Sequence, residues 1–598
     1  MIGPSRRYDR LTALAIAAVT AHTTPLAAAP DESPFLAENA AAMDRMMAGM
    51  AVAPSGDIDR DFAAMMIPHH QGAIDMARAQ LRYGKNEVLR RLAQQIIIDQ
   101  QQEIALMQLA VAQRAARPTA AARPPTAAPR HAHPSAPPRV AAAPTITAIS
   151  HRDRVYAAEQ FSNTVSVLDP VDHKVLGVIR LGDPSPGNLS PLYRGQLLVH
   201  GLGFSPDHRT LVAVSIGSNS VSFIDTATNA VKRIRYVGRS PHEAFFTPDG
   251  TEVWVSVRGE DYLQVLDAAD YTDKLRIPVP AGPGMTVFSP DGRYAYTCSS
   301  FNPQTSVISV AEHKVIGSVA QASPFCPYIA VSPDGKQIWF TLKDIGKVQV
   351  FDANPPFAIQ KTLDIGPITN HVNFATNRKG TFAYVTVGGL GEVQVFRTNT
   401  FARVATIPVG RLPHGLWPSG DGTRMYVGLE HDDQLIAIDT LTQGVVARAT
   451  IGQAPQAVVY VPDAVPSGEG LAGLQPLGVA GQSVQLTLAP AGAAVRGARP
   501  PTSITLFDQG ILQVLQASVT GLAPKQPYVL ALSDQPDGGG TVTQLSAFTT
   551  NPVGAAIVNA VGPIRQVVQS TAPGARRYLV IASGTPAQLG PPVQIQTP

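Results

Sequence analysis

The chain has 598 residues, 44% hydrophobic and only 15% charged, so it can bury several cores. Lys+Arg at 47 against Asp+Glu at 44 leave a formal charge of +3, too balanced for a protein that grips nucleic acid by general electrostatics. Gly and Pro, 50 and 52 in number, favour turns over long helices, and two cysteines, Cys298 and Cys326, exclude a disulfide-dense, zinc–cysteine or iron–sulfur scaffold.

The N-terminus has the form of an export signal over residues 1–29. Arg6, Arg7 and Arg10 precede the apolar run Leu11–Ala21, and small residues suited to cleavage follow. Ser5-Arg6-Arg7 hints at a twin-arginine signal, although Asp9 breaks that motif. The run is too short for a stable membrane span, and no later stretch is long enough. A periplasmic or secreted protein is expected, in a compartment where Cys298 and Cys326 can oxidise.

Residues 36–112 are rich in Ala, Met, Gln and Leu and predict helices. On one helix, residues four apart share a face, which pairs Met65 with His69 and Met66 with His70. Met76 lies seven beyond His69, and a following helix brings Glu103 and Met107. Thioether with imidazole suits Cu(I), and imidazole also accepts Cu(II). The Met43, Met46, Met47 and Met50 stripe reads more simply as core filler. The segment Asp61–Ala77, DFAAMMIPHHQGAIDMA, resembles a bacterial helical domain of unknown function with CopM-like copper-binding members, over about residues 57–111. The resemblance implies a small ferritin-like helical module, often periplasmic, with a Met/His copper site.

Residues 113–145 hold little but Ala, Pro, Arg and Thr and read as a semi-rigid linker, with a weak His131/His133 pair. From 146 to 463 the chain alternates apolar and polar residues between turns. Ser-Pro-Asp-Gly-like turns begin at Ser205, Thr247, Ser289, Ser332, Thr376 and Ser419, at intervals of 42, 42, 43, 44 and 43. Strands such as VSVLD (165–169) and VQVFD (348–352) fall between them. That period predicts a seven-bladed β-propeller, closed when the last strand, Ala457 to Pro462, joins the first blade. The repeats, with Ala383-Tyr384-Val385-Thr386-Val387, resemble the YVTN family of bacterial propellers related to YncE-type proteins. From about 466 a Gly/Pro stretch opens a third, β-rich region, read as an immunoglobulin-like sandwich over 474–598. The fold class is thus multidomain and mainly β: a small ferritin-like helical module, a seven-bladed propeller and a C-terminal sandwich.

Five residues before each turn stand His200, His242, Gly284, Pro327, His371 and His414, with Gln456 in the closing strand. Equivalent positions of a ring converge on its axis, so four imidazoles should meet on one arc as a metal or ligand site. Met285 and Cys326, both soft donors, stand beside the two gaps. The competing reading makes these histidines structural, capping the blades through hydrogen bonds. Glu430 and His431 follow the second strand of the last blade and should face the same side.

No GxSxG, HExxH, GxxxxGK[ST] or CxxCH motif occurs. The sequence therefore points to an exported copper- or metal-binding protein in copper handling or tolerance, with a metal ion and a periplasmic protein as partners and no nucleic acid. The alternatives are a propeller scaffold for protein or ligand recognition, or a propeller enzyme of lactonase-like or copper-oxidoreductase-like chemistry.

Overall fold

The structure, a computed structural model, describes residues 33–85, scattered helical positions between 93 and 111, and residues 148–182, 197–478, 483–492, 501–509 and 512–597. The export signal, the 113–145 linker with His131 and His133, and Glu103 lie outside the described residues. The chain separates into two units, Met1–Pro134 and Ser135–Pro598, each described by itself.

The first unit is built on a helical hairpin, α1 (Ser33–Met50) and α2 (Ile58–Tyr83). α1 extends well before the Met43–Met50 stripe, because the Ala37–Ala42 run has high helix propensity and Pro34 falls in the first turn, where its missing N–H is not needed. Asp57 caps α2, its carboxylate accepting from the Asp59 and Arg60 amides at 3.1 and 3.3 Å. Small residues set the spacing. A Cβ on Gly49 would stand 2.6 Å from Pro68, and one on Gly72 would run into Met46. Arg45 reaches Asp75 at 3.0 Å, and Glu38 pairs with Arg82 and Tyr83, so the helices are antiparallel.

The second unit contains seven four-stranded antiparallel sheets arranged as blades. The innermost strands are Val199–Phe204, Pro241–Phe246, Pro283–Phe288, Ile329–Val331, Thr369–Asn377, Pro413–Pro418 and Pro455–Val461. Each packs on the next, and the last returns to the first, which closes the ring. Closure is made by a strand from the far end of the repeats. Pro455–Val461 pairs with Arg154–Glu159, and Tyr460 donates to the buried Asp153 carboxylate. Between blades, one aromatic side chain after another fills the wedge, Trp254, Trp339, Tyr156, Tyr296, Tyr384 and Tyr426 all being fully buried.

The Gly/Pro stretch after the ring is a strap. Gln475 exchanges backbone hydrogen bonds with Val178, both at 2.9 Å, and Asn229 donates to the carbonyls of Gly470 and Ala472. The C-terminal region differs from the two-sheet sandwich expected. Its eight strands are hydrogen-bonded in one unbroken antiparallel series, from Val542–Thr549 at one end to Ala556–Gly562 at the other, and the two ends lie against each other. Register shifts at Ala531 and at Ala582–Gly584 let the sheet curl around a single core of Leu488, Ile504, Leu515, Leu530 and Ile581. Alternation along a strand marks a buried face, and a sandwich and a curled near-barrel bury that face equally well.

Candidate functional site

The propeller hub brings together the four histidines that the repeat register picked out. His200, His242, His371 and His414 line one cavity of about 400 Å³ and are all buried. Ring centroids are 4.4 Å apart for His242–His200, 6.2 Å for His200–His414 and 4.6 Å for His414–His371. The widest gap is the one that spans Gln456, whose blade lies between those of His414 and His200.

Local backbone geometry explains the convergence. In each of these inner strands the pairing with the second strand skips a step, between Val199 and Leu202, Pro241 and Glu243, Thr369 and Val372, and Pro413 and Leu416. Such bulges release one or two residues from the ladder and re-aim their side chains. They also free carbonyls. The Nδ1–H of His242 donates to Gly284 O, and that of His414 to Gln456 O, each at 2.8 Å and each to the same register position of the next blade. Gly201 and Gly415 permit this closeness, since a Cβ at either would collide with the carbonyl oxygen of His242 or Gln456.

The capping reading describes two of the four rings. Nδ1 of His242 and His414 is spent on the neighbouring blade, which fixes the tautomer and leaves Nε2 as the lone-pair nitrogen. Nδ1 of His200 and Nε2 of His371 are buried with no hydrogen-bond partner. Tyr328 stacks on His371 at 3.9 Å between centroids, holding that ring in place. Nδ1 of His200, 4.0 Å from the Glu243 carboxylate, and ligand atoms of His242 and Glu243 form a cluster within 4.8 Å.

Burial drives the imidazole pKa values down: His200 to about 3, with Arg258 and Lys343 adding to the effect, and His242, His371 and His414 well below the usual 6.5. All four are neutral at physiological pH, the state in which imidazole ligates. Burial likewise pushes the Glu243 carboxyl well above its ordinary range.

Arg258 and Lys343 were not apparent from the histidine register. They immediately follow the second strands Glu252–Val257 and Gln337–Leu342, as Gln160 follows Arg154–Glu159 and Glu430 follows Arg424–Leu429, and all four line the cavity. They share one offset in their blades, just as the histidines do. His431 departs from expectation by turning away from the hub. It accepts from the Ser503 hydroxyl at Nδ1, 2.9 Å, and faces Gln516 Oε1 from Nε2 at 3.0 Å, which docks the C-terminal sheet on the ring. The loop joining the two ends of that sheet then covers the hub, with Thr549, Asn551, Ala555, Ala556 and Ile557 on the cavity wall.

Two soft donors proposed beside the gaps are otherwise engaged. Cys326 is disulfide-bonded to Cys298, tying neighbouring blades with a Cα–Cα distance of 5.9 Å, and Met285 is packed in the core. In the helical unit, Met65 and His69 are exposed, and Met66, His70, Met76 and Met107 are half-buried. His70 directs Nδ1 at Met66 O, 2.6 Å away, and the His69 and His70 rings lie 5.6 Å apart. Met46 fills the space over Gly72, as the core-filler reading has it, while Met43 and Met47 are exposed.

Residues 21–111 match the family model described as a domain of unknown function, DUF305. Part of the chain is similar to two curated proteins named NirF. That of Pseudomonas aeruginosa is 26% identical over 204 residues, 32% of this chain and 51% of the relative, and that of Stutzerimonas stutzeri is 24% identical over 213 residues, 31% and 50%. The chain thus spans about half the length of the curated relatives it matches. Among solved structures, hydrazine synthase of Kuenenia stuttgartiensis aligns with a TM-score of 0.41 and 20% identity, covering 44% of this chain and 90% of that one. A functionally unknown protein from Desulfotomaculum acetoxidans aligns at 0.44 and 16%, covering 51% and 98%. Among the described residues no helix is long and apolar enough to cross a membrane.

Proposed function

We propose that this chain is an exported, periplasmic metal-binding protein whose propeller hub holds a transition-metal ion through His200, His242, His371 and His414. One observation carries the reading: four buried, neutral imidazoles converge, two with Nδ1 fixed on backbone and two with a nitrogen lacking any partner. A buried polar atom left unpaired costs about 1–3 kcal/mol, and an ion supplies the missing partner. An all-imidazole set suits copper or zinc, and the compartment and the Met/His helix favour copper. The helical unit supplies a second, more exposed copper site at Met65, Met66, His69, His70, Met76 and Met107. Its role is copper handling or tolerance, with a periplasmic protein as a partner.

The test is metal analysis of the full chain after exposure to Cu(II) or Zn(II) and removal of loose ions. His242→Ala with His414→Ala should remove one tightly held equivalent, and Cu(II) in the parent protein should show nitrogen coupling in its electron paramagnetic spectrum. Uptake unchanged by that double substitution overturns the hub assignment. A second reading, a pocket for an organic ligand, is favoured by the cavity volume, which is far more than an ion fills.

A further inference from the structure

We infer that the hub cavity contains an anion subsite, made by Arg258 and Lys343, for a small carboxylate with an apolar body. The inference shares a cavity with the metal reading but does not depend on it. Arg258 stands over the rings of Phe301 and Phe325, 5.7 and 5.3 Å from their centroids, and its Nε is buried with no hydrogen-bond partner. Among the described residues neither Arg258 nor Lys343 has a carboxylate oxygen within the 4.0 Å of an ion pair.

One nearby acid supplies part of the missing charge to Lys343, and none supplies it to Arg258. Glu430 draws Lys343 electrostatically without closing to an ion pair, and its carboxylate also faces Gln456 and Gln516. Glu243 is set against His200. Two cations in one cavity repel each other, and a buried cation without a counter-charge is costly. Burial, opposed in part by Glu430 and reinforced more weakly by Arg258, brings the Lys343 ammonium down to about 8. An anion between the two would relieve both penalties, and Arg presents a planar fork that matches a carboxylate.

The remaining wall sets the rest of the ligand. Ala555 and Ile557 on the covering side, with Ile368, Phe325 and Pro327 of the ring, form an apolar surface beside the charged one. A volume of about 400 Å³ lies within the range of small-molecule sites, which combine apolar walls with a few placed polar groups. A bare oxyanion would satisfy the cations and leave this apolar surface uncovered.

The experiment is calorimetric titration of the full chain, stripped of metal by chelation, with benzoate, its neutral isostere benzamide, and inorganic phosphate. Saturable benzoate binding is expected, with benzamide and phosphate each at least about tenfold weaker. Arg258→Met and Lys343→Met should each weaken benzoate by about tenfold or more, with thermal stability retained. Benzamide binding as well as benzoate, or no benzoate binding, overturns the anion subsite, and neither outcome needs a variant. Phosphate binding as tightly as benzoate overturns the apolar body. Because the protein is metal-free throughout, failure of the metal reading leaves these titrations unaffected.

Discussion

In the propeller hub four histidines come from four blades, whereas in the helical hairpin His69 and His70 are neighbours on one helix. The first set is buried and kept neutral, and two of its four rings are held by backbone carbonyls of adjacent blades. The second relies on one helical turn, with His69 exposed. A repeat aims equivalent side chains at one axis and supplies the surrounding walls. A helix aligns donors on a face, but enclosure has to come from another element. Of the two proposed metal sites, the hub is therefore the preorganised one and the hairpin the adaptable one.

This contrast breaks most completely if the ring is opened. Deleting 455–461 removes the partner of Arg154–Glu159, bares that strand's edge and breaks the ring, so the protein should aggregate, with no monomer peak in gel filtration. The helical circular dichroism signal should survive in a fragment of residues 31–115. A monomeric deletion product of unchanged thermal stability would falsify closure as the basis of the hub.

At the sites themselves, His242→Ala with His414→Ala should weaken the tightest metal site by about 10–100-fold or more, the scale of losing even an outer-shell partner. His69→Ala with His70→Ala should leave that site untouched and abolish Cu(I) binding in residues 31–115 with helicity retained. Competitive titration with a chromophoric chelator separates the two effects.

Docking of the C-terminal sheet should respond to acid. Burial lowers the His431 pKa to about 3, so its contribution is fully present above the unfolded value of 6.5 and is lost as pH falls toward 3. Asp433, which accepts from Ser483 at 2.6 Å, is raised by burial to about 6. Its contribution is present below 3.8 and lost as pH rises through 6. His431→Gln should therefore flatten the fall of melting temperature between pH 6.5 and 4. His431→Ala should also cost about 1–3 kcal/mol at neutral pH, because Ser503 and Gln516 lose their partner. The smallest change is expected at Arg45→Ala. Its exposed ion pair with Asp75 should contribute under about 1 kcal/mol, within a degree or two in thermal melts of the fragment.

The turn spacing alone was enough to place the blades and the four histidines, because an identical offset in each repeat becomes a common position in space. The same offset logic reaches Arg258 and Lys343, but their residue types vary from blade to blade, Gln160 and Glu430 being the other two on the cavity wall, so no single type advertises the position. The covering loop around Asn551 was not legible. Its proximity to the hub arises from docking through His431, Phe161 and Phe507, a tertiary match between surfaces with no local signature. The curled C-terminal sheet was missed for a different reason. Strand alternation gives the buried face of each strand, while the order of pairing is decided by long-range partners such as Leu488 and Gln596.

The clasp that joins Val461 to Arg154 has a consequence in time. The first blade is made early in synthesis yet lacks its innermost strand until the last repeat has been produced. Throughout that interval Arg154–Glu159 presents a bare edge, and the hub has no Gln456 to complete its wall. The central cavity is therefore completed only when the ring closes, as the last event of its folding.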